Sequence, residues 1–187
     1  MNPALWLSPE FEYASIGWIL LYIGDGYFMV IPSYREFYLP YAQEVLGSAF
    51  EEASLNPEIG LSAFYVSFLA SDYSRYFARG FPSVVMGNSG REFCWKVMRM
   101  TTQAAERKEG SGKLPEYWAG WALAYFQWWS SCSFQEIASR VPLKAILALY
   151  GPYHEMDVQQ FCDKMAQLMS PDPHLTPLAI FRRHHGS

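Results

Sequence analysis

From Tyr34 onward, apolar residues recur with a helical rather than an extended period. Phe37, Tyr41, Val45, Leu46, Ala49, Phe50 and Ala53 fall at three- and four-residue steps, one face of a helix that Asn56-Pro57 ends. Residues 61–78 predict a second helix carrying Phe64, Tyr65, Phe68, Leu69, Tyr73, Tyr76 and Phe77, stopped at Gly80. Residues 80–88 (GFPSVVMGN) read as a connector, extended at Val84-Val85-Met86. A third helix, capped by Asn88 or Ser89, is expected to run to about Lys108. The hydrophilic stretch ERKEGSGK, residues 106–113, is the natural hinge between two helical groups. Pro115 opens a fourth helix containing YWAGWALAYFQWW, residues 117–129. Ser133 and Glu136 have capping-box spacing, and residues 143–150 give a further helix closed by Gly151-Pro152. The last helix runs from about Val158 to Met169, with Asp157 as N-cap and Gln160 completing a reciprocal pattern.

Residues 1–33 read differently: they are aromatic, lack helical period, and contain Gly24-Asp25-Gly26. A small β-hairpin of residues 18–23 and 27–31 fits that turn signal and would have to pack on the helices. Met29 offers an alternative start, in which case the preceding stretch is not native. The organisation expected is an N-terminal extension (1–33), a helical domain (34–169) and an irregular tail (170–187). The fold class expected is all-α, a compact orthogonal array of about six or seven short helices.

Composition supports a folded chain. Of 187 residues, 51% are hydrophobic and 17% charged, the reverse of a disordered segment. The net charge of −4 comes from acidic residues scattered between Glu10 and Asp172. That argues against direct nucleic-acid binding, which favours a basic excess, and against mimicry of DNA by an acidic stripe. Cys94, Cys132 and Cys162 lie far apart among apolar residues, which points to buried reduced thiols and a cytoplasmic setting. The apolar run at residues 17–23 is too short to span a membrane and has no cationic flank.

The aromatic block at 117–129 is the most unusual feature. On a helix, Tyr117, Trp121, Ala124, Tyr125 and Trp128 share one face, while Trp118, Ala122, Phe126 and Trp129 lie about a third of a turn away. Apolar groups on nearly every side favour a buried helix, and the sharper alternative is a partly exposed patch that anchors a partner. A base-stacking platform would need a cationic groove, for which only Arg107, Lys108 and Lys113 are near in sequence. His154, Glu155 and Asp157 sit within four residues, yet no second histidine or cysteine stands at ligand spacing, and capping accounts for Asp157. No nucleophile elbow, Walker loop or dinucleotide fingerprint occurs. Gly87-Asn88-Ser89-Gly90 reads as a helix cap before it reads as an anion site. Residues 134–150 have the outline of a helix-turn-helix, but only Lys144 is polar in the second helix.

From residue 34 to residue 169 the chain resembles the N-terminal domain of an uncharacterised family of Cro/Xre-type helix-turn-helix regulators of gut Firmicutes. The resemblance rests on YREFYLPYAQEVLG, the Phe-Tyr-Val-Ser-Phe of the second helix, GFPSVVMGNSG, YWAGWALAYFQWW, the cap at residues 133–137, and Tyr153-His154-Glu155-x-Asp157. Members commonly continue into a Cro-type DNA-binding domain. Eighteen residues follow Met169 here, against about 55–65 for a domain that folds alone, so the resemblance implies the partner-binding half without its DNA reader. It also implies mobile-element, toxin-antitoxin-like biology, and it supplies no catalytic residues.

The expected function is therefore a non-enzymatic regulatory or antitoxin-like interaction domain. It would need no cofactor or metal and would bind a protein partner such as a toxin or nuclease, with oligomerisation left open. The candidate partner-binding residues are Tyr117, Trp118, Trp121, Tyr125, Trp128, Trp129, His154 and Glu155. The alternatives are an anti-CRISPR-type inhibitor of a Cas9-like nuclease, and a DNA-binding regulator or enzyme whose site would draw on His154, Glu155 and Asp157.

Overall fold

In the computed structural model, which describes residues 20–23, 27–30, 32–100 and 114–170, two long helices form the axis of the molecule. Helix α1 (Leu39–Leu55) follows a 3-10 turn at Glu36–Tyr38 and carries Pro40 in its first turn, where a missing N–H has no helical acceptor to lose. Its buried face carries Val45, Leu46, Ala49, Phe50 and Ala53 as the periodicity marks, with Ala42 added. Phe37 and Tyr41, assigned to the same face, are exposed, Phe37 because it belongs to the 3-10 turn that precedes the helix. Asn56 ends it in an extended conformation, and its side chain accepts a bond from the Glu58 N–H (3.1 Å). Helix α6 (Pro115–Ser130) packs along α1 in the most extensive helix pair of the fold.

The remaining helices sheathe this pair. Helices α2 (Leu61–Ala70), α3 (Asp72–Ala78), α4 (Pro82–Val85) and α5 (Gly90–Met98) gather on the α1 side. Helices α8 (Leu143–Ala148), α9 (Tyr150–Tyr153) and α10 (Val158–Met169) gather on the α6 side, and α7 (Phe134–Arg140) touches both α3 and α10. Under α2, α3, α5 and α7 lies a nest of phenylalanines, with Phe68 edge-on to Phe134 at 4.9 Å and to Phe93 at 5.9 Å, and Phe77 edge-on to Phe134 at 5.6 Å. Each such pair adds about 0.5–1.5 kcal/mol beyond burial alone, so ring geometry as well as apolar area specifies this core. Ahead of the helices, strands β1 (Leu20–Ile23) and β2 (Tyr27–Val30) pair antiparallel, Leu20 opposite Val30 and Ile23 opposite Tyr27.

The described residues form ten α-helices, where the sequence suggests six or seven. The predicted second helix is broken at Ser71, which is extended (φ −88°, ψ 160°) and donates its N–H (3.1 Å) and its hydroxyl (2.8 Å) to the Phe68 carbonyl. The break is also held from outside: the Gln135 amide donates to the Leu69 carbonyl (2.6 Å) and to the Ser74 hydroxyl (2.8 Å). Val84-Val85 is helical rather than extended, because Pro82 starts a turn whose Ser83 and Val84 carbonyls are capped by the Asn88 amide. Gly151-Pro152 does not stop a helix. Pro152 sits in the first turn of α9, where proline is tolerated. The third helix ends early, at Arg99 in the left-handed conformation (φ 55°). The 106–113 hinge and the tail beyond Ser170 lie outside the described residues. Among the described residues, no helix is long and apolar enough to cross a membrane.

Candidate interaction site

Helix α6 changes character along its length. Trp128 and Trp129, at its C-terminal end, are core residues, each 8% exposed. The Trp128 indole N–H donates to the Tyr34 carbonyl (2.8 Å), and the Trp128 carbonyl accepts from the Ser33 N–H (3.0 Å). Of these two tryptophans, both expected as partner contacts, Trp128 instead fastens the chain at residues 33–34 onto α6, and Trp129 is buried beside Phe126 (6.0 Å). Near the N-terminal end the rings are half-buried. Tyr117, Trp118, Trp121 and Tyr125 form a stripe at helical spacing with one edge in the core and one in solvent.

Three of these rings line an open groove of about 570 Å³ between α6, α9 and the start of α10. Tyr117, Trp118 and Trp121 supply one wall, and Tyr150, Tyr153 and His154 the facing one. Leu114, Met156, Asp157 and Val158 close the ends. Trp118 is the keystone: its ring stands edge-on to Phe161 of α10 (5.2 Å) and to Tyr150 of α9 (5.7 Å). Tyr125 lies beyond the groove, stacked on Trp121 (6.5 Å) and edge-on to Trp128 (5.7 Å), and so bridges surface stripe and core.

His154 stacks on Tyr150 (4.3 Å), its Nδ1 lies 2.9 Å from the Tyr150 carbonyl, and its Nε2 is 3.6 Å from a Glu155 carboxylate oxygen. Glu155 is 87% exposed at its side chain, so that pairing is a solvated one of little energy. Asp157 accepts the Gln159 N–H (2.8 Å) as N-cap of α10, one residue short of the reciprocal box that Gln160 would complete. His154 and Glu155 thus meet each other only loosely, and Asp157 serves a separate contact as the cap of α10. Among the described residues, no three His, Cys, Asp or Glu side chains meet as metal ligands.

Burial first, and neighbouring carboxylates second, set the protonation of the phenols along α6. Burial, and then the hydrogen bond it donates to Glu44 (2.5 Å), push the Tyr117 phenol well above its ordinary range. Tyr125 is raised by burial first, with Cys162, Asp157 and Glu36 adding to the effect. Neither phenol is set up to ionise near neutral pH. The thiols are equally inert: burial raises Cys132 to about 11 and Cys94 to about 12, and lifts Cys162 well above its usual value. At the start of α5, the Ser89 hydroxyl takes the Glu92 N–H (3.2 Å) and the Glu92 carboxylate takes the Ser89 N–H (2.8 Å), so a side chain of the protein fills the anion position considered there. In α8, Ile146 is buried and Leu143 and Leu147 are half-buried, which turns that helix's apolar face inward.

Sequence reasoning missed Leu114, Tyr150, Tyr153, Met156 and Val158 as groove residues, singled out Asp157 only for the alternative site, and included Glu155, which does not line the groove. The signal was the i, i+3, i+4 spacing of Tyr150, Tyr153 and His154, hidden by a Gly-Pro pair that reads as a helix stop. Comparison with known proteins supplies no relative: no family model, no curated protein and no solved structure matches the chain.

Proposed function

We propose that this protein is a non-enzymatic interaction domain that binds a protein partner through the groove between α6, α9 and α10. The observation that carries this reading is the groove itself, in which five aromatic rings converge at a surface. Tryptophan and tyrosine half-sunk in a concave patch are the residue types that dominate interface energetics. The packing of Trp118 on Phe161, and of Trp121 and Tyr153 on the core, lowers the ordering cost of binding. The antitoxin-like or regulatory role implied by the Cro/Xre resemblance is the form of interaction this reading favours, with a toxin or nuclease as the partner class.

The test is affinity capture from native lysate with wild type, Trp121→Ala and Tyr153→Ala in parallel, with circular dichroism confirming that each variant is folded. The expected outcome is one stoichiometric protein retained by wild type and lost by both folded variants. Capture that is equally strong with both variants, or no capture by wild type, would refute the reading.

A further inference from the structure

We propose that the groove receives an arginine side chain of the partner, its guanidinium lying against the aromatic wall and pairing with the Asp157 carboxylate. This rests on the reading above that the groove is the partner-binding face. Among the described residues lining it there is no lysine or arginine, and the only carboxylate is Asp157. One oxygen of Asp157 holds the Gln159 N–H, and among the described residues the other carries no hydrogen-bond partner. The neighbouring Glu155 is exposed, and at the far end Glu44 is bonded to Tyr117. The groove therefore combines one lining carboxylate with the rings of Tyr117, Trp118, Trp121, Tyr150 and Tyr153, of which Tyr150 has one face against His154 and Trp121 one face against Tyr125. Carboxylate and rings both attract a cation.

The shape selects among cations. A trimethylammonium group is best held where rings enclose it on several sides, whereas among the described residues this groove is more open than enclosed. A lysine ammonium is compact and strongly hydrated, and it gains little from an open aromatic wall. A guanidinium is planar and weakly hydrated, stacks on ring faces, and presents several N–H donors to a carboxylate. The chain's net charge of −4 adds a field that draws in a basic partner segment.

The experiment follows the tryptophan indole N–H signals of the full chain in proton–nitrogen NMR spectra. The probes are acetyl-Gly-Ser-Arg-Ser-Gly-amide and its counterparts with citrulline, lysine or norleucine in place of arginine. The arginine peptide is expected to shift the Trp118 and Trp121 signals and to bind at least fivefold more tightly than the neutral, near-isosteric citrulline peptide. Asp157→Asn keeps a side-chain oxygen to cap α10 but removes the charge. It should weaken the arginine peptide by roughly two- to fivefold, the scale of an exposed ion pair, and leave the citrulline peptide unchanged. Equal binding of citrulline or norleucine, arginine binding indifferent to Asp157→Asn, or no shift with any peptide would each overturn the proposal. If a captured partner still depends on Trp121 and Tyr153 while the arginine peptide fails, this inference falls and the interaction reading stands. If the partner ignores both rings, the interaction reading itself falls.

Discussion

Gly120 of α6 lies directly on the backbone of Leu46 in α1: a Cβ at Gly120 would sit 2.5 Å from the Leu46 carbonyl oxygen and 2.9 Å from the Phe50 ring. Real side chains do not approach so closely, so the central helix pair depends on the missing methyl. Gly120→Ala should therefore destabilise the fold by about 1–3 kcal/mol through overpacking, even though alanine is the better helix former. Gly151→Ala is the milder comparison, since apart from its chain neighbours nothing lies within 4 Å of a Cβ there, although the following Pro152 disfavours a helical alanine. In urea titrations the first substitution should lower the midpoint more than the second. An unchanged midpoint for Gly120→Ala would show that α1 and α6 can separate at no cost.

Gln127 is the polar tie of the core. Its buried amide shares its two N–H donors among the Ser33 hydroxyl (3.0 Å), the Cys132 carbonyl (3.2 Å) and the Ala78 carbonyl (3.3 Å), tying α6 to residues 33, 78 and 132. Gln127→Leu keeps the volume but leaves two carbonyls without this donor, at an expected loss of about 1–3 kcal/mol. Thermal melts of the two proteins at one pH check this, and a variant as stable as wild type would assign the amide no structural role.

Local cap chemistry was legible in the sequence and gives a prediction of its own. At Ser133 the hydroxyl accepts the Glu136 N–H (3.2 Å) and the Glu136 carboxylate accepts the Ser133 N–H (2.7 Å). Ser133→Ala should cost about 1 kcal/mol and Ser133→Asp far less, because aspartate can accept the same bond. Equal losses for the two would mean that something other than the cap holds the start of α7.

What could and could not be read from the residues follows the same division. Asn56-Pro57, Ser133 with Glu136, and Asp157 before α10 announce helix ends through bonds made within three residues, and each stands where its spacing indicates. The break at Ser71 was illegible because the amide that stabilises it belongs to Gln135, far along the chain. Trp121 and Trp128 are seven residues apart on one helix and look alike in sequence. Which of them meets solvent is decided by where residues 33–34 and α9 come to lie. The groove was half visible for that reason: its α6 wall shows as an aromatic run, while its facing wall depends on Gly151-Pro152 continuing a helix.

The three thiols predict an alkaline instability with a definite sign. Burial holds Cys132 protonated up to about 11 and Cys94 up to about 12, against an ordinary 9.0 in the unfolded chain. The unfolded state therefore releases protons first. Stability is complete below pH 9 and declines as the pH rises from 9 through 11 to 12, by at most about 1.4 kcal/mol per pH unit for each thiol. Cys132→Ala should flatten this decline between pH 9 and 11 in a series of melting temperatures. At pH 8 a thiol reagent should label none of the three cysteines in the native protein and all three in urea. Rapid labelling of the folded chain would contradict their burial.

The half-sunk rings at one end of α6 are separated from the tryptophans that clip the fold together at the other, so sequence change can act on the two ends independently. On the proposed reading, exchanging Trp121 or Tyr153 for other side chains would alter the partner preference, whereas Tyr117, bonded to Glu44 and packed over Gly47, also ties α6 to α1. The helix is thereby a graduated part, anchored behind and more replaceable in front.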